Sequence, residues 1–126
     1  MNALGYDIKD LLVAGGFGSY ATNLFLNKEP VSPDNVITIY TTGGSNVSTL
    51  DLRTIRQDTA QIRVRNIAPT SGWELIELIR SYLQPLNNFT VNGSFIRSID
   101  IMSGPEQIKF DEKDRIILVL NIKVNR

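Results

Sequence analysis

Residues 69–84 carry the longest amphipathic pattern in the chain. Leu75, Ile76, Ile79, Tyr82, Leu83 and Leu86 fall on one side at 100° per residue, and Glu74, Glu77, Ser81 and Gln84 fall on the other. Ser71 followed by Glu74 fits a capping box, which places the helix start near Pro69. Pro85, Asn87 and Asn88 stop it. The segments on either side read as strands. One helix of this length covers one face of a sheet, so the pattern predicts an α+β domain: a mostly antiparallel, mixed sheet with this helix packed on it and a second, short helix at the N-terminus.

The strand signals have unequal strength. Val36, Ile37, Ile39 and Tyr40 make a nearly continuous β-branched run, and Leu24, Phe25 and Leu26 make a shorter one. Between them, two prolines mark residues 27–34 as a loop. Thr41 to Asn46 reads as a flexible polar segment, with no regular structure expected up to Asp51. From Asp58 to Arg65 the pattern alternates. Ala60, Ile62 and Val64 face one way, and Thr59, Gln61, Arg63 and Arg65 form a polar, cationic face. Asn92-Gly93 between two apolar runs signals a hairpin with a type I′ turn. Its second arm is expected to run to Met102 and to turn at Ser103-Gly104-Pro105, with another strand over residues 107–110. Asp111 to Asp114 turns the chain again. The last strand, 115–124, puts Ile116, Leu118, Leu120, Ile122 and Val124 on one face and Ile117 and Val119 on the other. At the start of the chain, Ile8, Leu11 and Leu12 form the short helix, with Asp7 as its expected cap and Gly15-Gly16 as its end.

Composition removes whole classes of chemistry. The 126 residues hold no Cys and no His, so thiolate metal sites, Cys nucleophiles, disulfides and the commonest general base are excluded. Thirteen basic and thirteen acidic residues give a net charge of zero. That balance argues against a protein devoted to gripping nucleic-acid phosphates and permits self-association. No segment approaches a transmembrane span, and no signal peptide is read at the N-terminus, so the sequons at Asn46, Asn88 and Asn92 are taken as turn residues. The chain is expected to form one domain over residues 1–126, with no cofactor and no metal.

Few residues are candidates for function. Gly15-Gly16-Phe17-Gly18 follows a helix instead of opening one and lacks a following Lys-Ser/Thr, so it is not read as a phosphate loop. Asp111, Glu112 and Asp114 read as a solvated turn. Small-hydrolase chemistry is disfavoured. Arg53, Arg56, Arg63 and Arg65 admit a solvated strand face, a subunit contact, or an electrostatic contact with DNA, though no aromatic residues interleave with them. Trp73, in the helix's first turn, either staples the helix to the sheet or anchors an interface. In the hairpin, Phe89 and Ile96 share one face while Phe95, Ile99 and Ile101 share the other. Either both faces of the sheet are covered, by the short helix or a neighbouring subunit, or a bulge shifts the phase.

Taken in order, several stretches resemble the minor capsid and tail terminator proteins of long-tailed phages. They are Asp10-Leu11-Leu12, Thr22-Asn23-Leu24-Phe25, and the strand entering Tyr40-Thr41-Thr42-Gly43-Gly44. Leu50-Asp51-Leu52-Arg53 and Gln61-Ile62-Arg63-Val64-Arg65 before the amphipathic helix continue the pattern. Asn88-Phe89-Thr90-Val91-Asn92-Gly93 leading to Ser103-Gly104-Pro105 completes it. The resemblance implies a structural virion protein of the tail or neck, assembled in the bacterial host cytoplasm, and no enzyme. It implies a homohexameric ring at the head-proximal end of the tail tube. Its partners would be further copies of itself, the tail tube protein and head-completion proteins, with DNA passing through the lumen without sequence-specific binding. The expected subunit or tube contacts are Thr41, Thr42, Gly43, Gly44, Arg53, Arg56, Arg63, Arg65 and Trp73. A head–tail adaptor or stopper is the neighbouring reading, and a nucleic-acid-binding module using the arginines is a third.

Overall fold

The computed structural model describes residues 3–48 and 54–126. In chain order the elements are α1 (Leu4–Ala14), β1 (Leu24–Leu26), β2 (Val36–Ser48), β3 (Thr54–Asn66), α2 (Pro69–Leu83), β4 (Asn87–Val91), β5 (Ser94–Phe110) and β6 (Ile116–Asn125). The six strands form one mixed sheet in the order β1-β2-β3-β6-β5-β4. Only β1 and β2 run parallel; every other pair is antiparallel. The α+β expectation therefore holds.

The core lies on one face of the sheet. Leu4, Ile8 and Leu12 of α1 and Ile76, Ile79 and Leu83 of α2 pack on the inward rows of the strands, including Ile39, Ile62, Leu118 and Leu120. Side chains in a strand alternate between faces, so the β6 positions Ile116, Leu118, Leu120, Ile122 and Val124 all reach this core, as the pattern predicted. The two helices thus share a face, and the short helix does not cover the other one. That second face is covered by residues 27–35, folded back over Val36, Thr38, Ile117 and Val119, all of which are buried.

Both helices begin differently from expectation. Asp7 does not cap α1: Ala3 occupies the cap position with no side-chain hydrogen bond, and Asp7 is fully buried. An unpaired N–H in the first turn is instead satisfied from the sheet, where Thr41 Oγ1 accepts from Gly5 N–H at 3.0 Å. For α2, Ala68 stands at the cap and Pro69 takes the first helical position, so Ser71 and Glu74 lie inside the helix and form no capping box. Proline's fixed φ suits that first position and its missing N–H loses nothing there.

The strands are longer than the sequence pattern indicates. Residues 41–48 continue β2 as the outer arm of a long hairpin with β3, past a register shift between Thr41 and Gly43. Likewise, residues 94–110 are one strand: β5 passes Gly104-Pro105 without turning and absorbs the irregularity as register shifts against β6. The hairpin at Asn92-Gly93 forms as predicted, with both residues at positive φ (50° and 78°). The apparent two-sidedness of β5 has a local cause. Ser94 and Ile96 are buried, then Ile99, so the buried phase slips by one residue between Ile96 and Ile99 while Phe95 stays exposed.

Candidate functional site: the arginines and the sheet edges

Among the described residues, the arginines named from the sequence fall in two places: Arg56 near the start of β3, and Arg63 and Arg65 together on one cleft. Arg53 lies outside the described residues. Arg56, near the start of β3, is about half exposed; its Nε donates to Asp58 Oδ1 at 2.9 Å. Asp58 also accepts from Arg126 Nε at 2.7 Å, and Arg126 in turn donates to Asp7 Oδ2 at 2.6 Å. The side chains of Arg126 and Asp7 are wholly buried. An arginine between two carboxylates satisfies charges that would otherwise be very costly to bury. Burial pushes the Asp7 carboxyl above its ordinary pKa, against the opposing hydrogen bond from Asn92 and the charge of Arg126. Asn92 also bonds Asp10, so the β4–β5 turn is tied to α1.

Arg65, read as a solvated, subunit-contacting or DNA-contacting residue, is instead buried within the chain. Its guanidinium donates to the carbonyls of Pro30, Val31, Pro33 and Asp34, holding residues 30–34 over the sheet. Burial and the nearby Arg115 lower its pKa, opposed by Glu29, Asp111 and Asp34. Arg115 reinforces the same loop through Val31 O (2.7 Å) and pairs with Asp111 at 2.7 Å. Arg63 stands 3.9 Å from Glu29 Oε2. It borders an open cleft of about 510 Å³, lined also by Lys109, Phe110, Lys113 and Ile117.

Thr42 and Thr59 share a hydrogen bond across β2 and β3 (Oγ1–Oγ1 2.7 Å), and Thr59 reaches Gly43 O at 3.1 Å. Thr41, Thr42 and Gly43 are exposed at the edge of the sheet, and Gly44 continues β2 opposite Asp58. Trp73 is half-buried and packs against the core from the first turn of α2.

Sequence reasoning gave no weight to the outer half of β5. Strand β4 pairs with β5 only as far as Ser98, and among the described residues no strand lies along the outer side of β5 from Ile99 to Phe110. Met102, Ile108 and Phe110 are exposed there, at 56%, 52% and 48%. The signal was present in an apolar residue near each end of a polar run, but that run read as a turn. At the opposite edge, Tyr20, Phe25, Leu26 and Pro30 line a second cleft, of about 300 Å³. Lys9 sits 4.9 Å above the Tyr20 ring beside it.

Among the described residues no group of three or more Asp or Glu side chains is placed to hold a metal ion. Among the described residues no helix is long and apolar enough to cross a membrane. What the geometry offers is surface: a bare β5 edge and, at the opposite side of the sheet, an apolar cleft, flanking a core secured by buried ion pairs. Residues 9–126 match the family described as "Bacteriophage tail terminator protein", and the chain belongs to that family. It is a structural component of the phage virion with a tail terminator or adaptor role. Among solved structures, a chain of the "Virion of native gene transfer agent (GTA) particle" has a TM-score of 0.70 at 13% identity, covering 98% of this chain and 96% of that one. At that identity the likeness is one of fold. No curated protein matches the sequence.

Proposed function

We propose that this chain closes into a homohexameric ring on the head-proximal end of the tail tube, stops further tube addition and presents a docking surface to head-completion proteins. The family match over residues 9–126 carries the reading. A ring acts by shape: a heterologous contact that closes by rotation leaves two unlike faces, one matching the last tube ring and one that accepts no further tube subunit. DNA passes through the lumen without sequence-specific contacts. A nucleic-acid-binding role is less well supported, since Arg56, Arg65, Arg115 and Arg126 each bond to carboxylates or carbonyls of the chain itself. Assembly takes place in the host cytoplasm, and Thr42, Gly43, Gly44, Arg63 and the exposed part of Trp73 remain contact candidates.

The test is to add purified protein to elongating tail tubes of the cognate phage and to image them by negative stain. Capped tubes that stop growing are the expected result. Bare ends and undiminished elongation would refute the reading. Binding to filled heads without binding to tubes would assign the adaptor role instead.

A further inference from the structure

Building on the ring reading, we infer that the subunit contact joins opposite edges of the sheet. The bare outer edge of β5, from Ile99 to Phe110, docks on the β1–β2 edge of a second copy of this chain.

Strand direction supports this occupant. Successive antiparallel pairings from β2 through β3 and β6 leave β5 opposed to β2, and β1 runs with β2. Rotation about an axis along the strands keeps those directions, so the β5 of one copy meets the β1 and β2 of the next antiparallel, the better-bonded arrangement.

Height along the strands agrees. Pairing partners form a row across the sheet from Phe25 through Thr38, Arg63 and Val119 to Glu106. A second row runs from Thr41 through Ala60 and Ile122 to Ile101. A neighbour at the same height therefore sets Ile101 beside Thr41 and Glu106 beside Phe25. The blocked stretches are complementary as well. Strand β4 masks only the Ser94–Ser98 end of β5, and β1 with Asn27, which bonds Ile39 O and the Thr41 N–H, masks β2 from Ile37 to Thr41. The unmasked edges thus face each other over Ile99–Asp100 and Gly43–Gly44.

Side-chain chemistry agrees too. Gln107 shares a row with Leu24 through Leu118, Val64 and Ile37. This sets the exposed Ile108 close to the level of the cleft between Tyr20, Phe25, Leu26 and Pro30. An apolar projection at one edge and an apolar cleft at the other make a contact between unlike surfaces, the kind that closes rings. An edge bare for twelve residues is otherwise an invitation to unregulated pairing.

The absence of cysteine makes a direct test clean. A Tyr20→Cys/Ile108→Cys double variant, oxidised in the presence of tail tubes, is expected to give a ladder of covalent oligomers. Mixing the two single variants is expected to stop at dimers. Ile108→Asp, at an exposed position, is expected to keep the wild-type Tm and lose both rings and tube capping. Three outcomes overturn the inference. They are rings without a ladder, normal rings from Ile108→Asp, and crosslinking by Ile108→Cys alone, which would mean a like-with-like contact. If the tubes are capped in any of these cases, the terminator reading survives and only the edge assignment falls. If wild-type protein neither forms rings nor caps tubes, both fall.

Discussion

Replacing Arg126 with Met isolates the contribution of the buried ion cluster. Met keeps most of the volume and leaves intact the backbone pair between Arg126 and Arg56, N–H to carbonyl in both directions at 2.8 and 3.0 Å. It removes the guanidinium held 2.7 Å from Asp58 and 2.6 Å from Asp7, both buried. Breaking a buried pair by deleting one partner costs about 3–5 kcal/mol, because a charge is left without compensation. For a domain of this size a loss near 3 kcal/mol lowers Tm by roughly 10–15 °C. The pH dependence follows in sign. Without the guanidinium, Asp7 is held protonated more strongly in the folded state than in the unfolded state. The folded variant then binds more protons than the unfolded chain above pH 3.8, so its stability rises as pH falls toward that value. Urea unfolding at pH 7 and at pH 4.5 reads both effects. The penalty relative to wild type should be large at pH 7 and smaller at pH 4.5. A penalty below about 1 kcal/mol that does not change between the two would refute the assignment of these charges as a mutually compensating cluster.

Arg65→Lys cannot span the four carbonyls of residues 30–34, and should cost about 2 kcal/mol and expose that loop to limited proteolysis before global unfolding. Gly104→Ala forces a Cβ to 2.6 Å from Val119 O at φ +91°; a loss of about 2 kcal/mol or more in denaturant titration is expected. Gly93→Ala strains the hairpin turn at φ +78° but meets no neighbour within 4 Å, so it should cost only about 1 kcal/mol. For Asp111, burial raises the pKa, but hydrogen bonds from Arg115 and Lys113 and the Arg115 charge outweigh it and hold the carboxyl below 3.8. Its contribution is fully present above pH 3.8 and is lost as pH falls through the lowered value. Asp111→Asn should therefore be less stable than wild type at pH 7, with the gap closing in the acid limb of a pH–Tm profile.

The elements read correctly are those whose packing leaves a periodic trace. Strand β6 and the inward row of β3 alternate because one face of each meets the helices, and α2 shows its stripe for the same reason. The outer arm of β2 leaves no such trace, because it is held chiefly by backbone pairing to β3 and its Thr and Gly residues carry no apolar period. Gly104-Pro105 looks like a turn because glycine and proline usually break strands; β5 accommodates the pair as a bulged, exposed edge. Arg65 shares its parity with Arg63, and nothing local reveals that a proline-rich loop gives one of them four carbonyls and the other only Glu29. Asp7 sits where a cap would stand, but its partner, Arg126, lies 119 residues away. The edge contacts proposed for assembly were illegible for a similar reason, since they depend on strand order, which no local pattern encodes.

That order has a consequence for how the molecule is made. Strand β6 follows every other strand in sequence, yet lies between β3 and β5 near the middle of the sheet. Until it is synthesised, the β2–β3 and β4–β5 hairpins are separate pieces joined through α2, and the row that relates one outer edge to the other does not exist. Contacts this distant in sequence form slowly and late. A nascent chain thus cannot display the two edges at the matched height that the ring proposed above would use. On that proposal, completion of folding acts as a checkpoint that keeps unfinished subunits out of the growing particle.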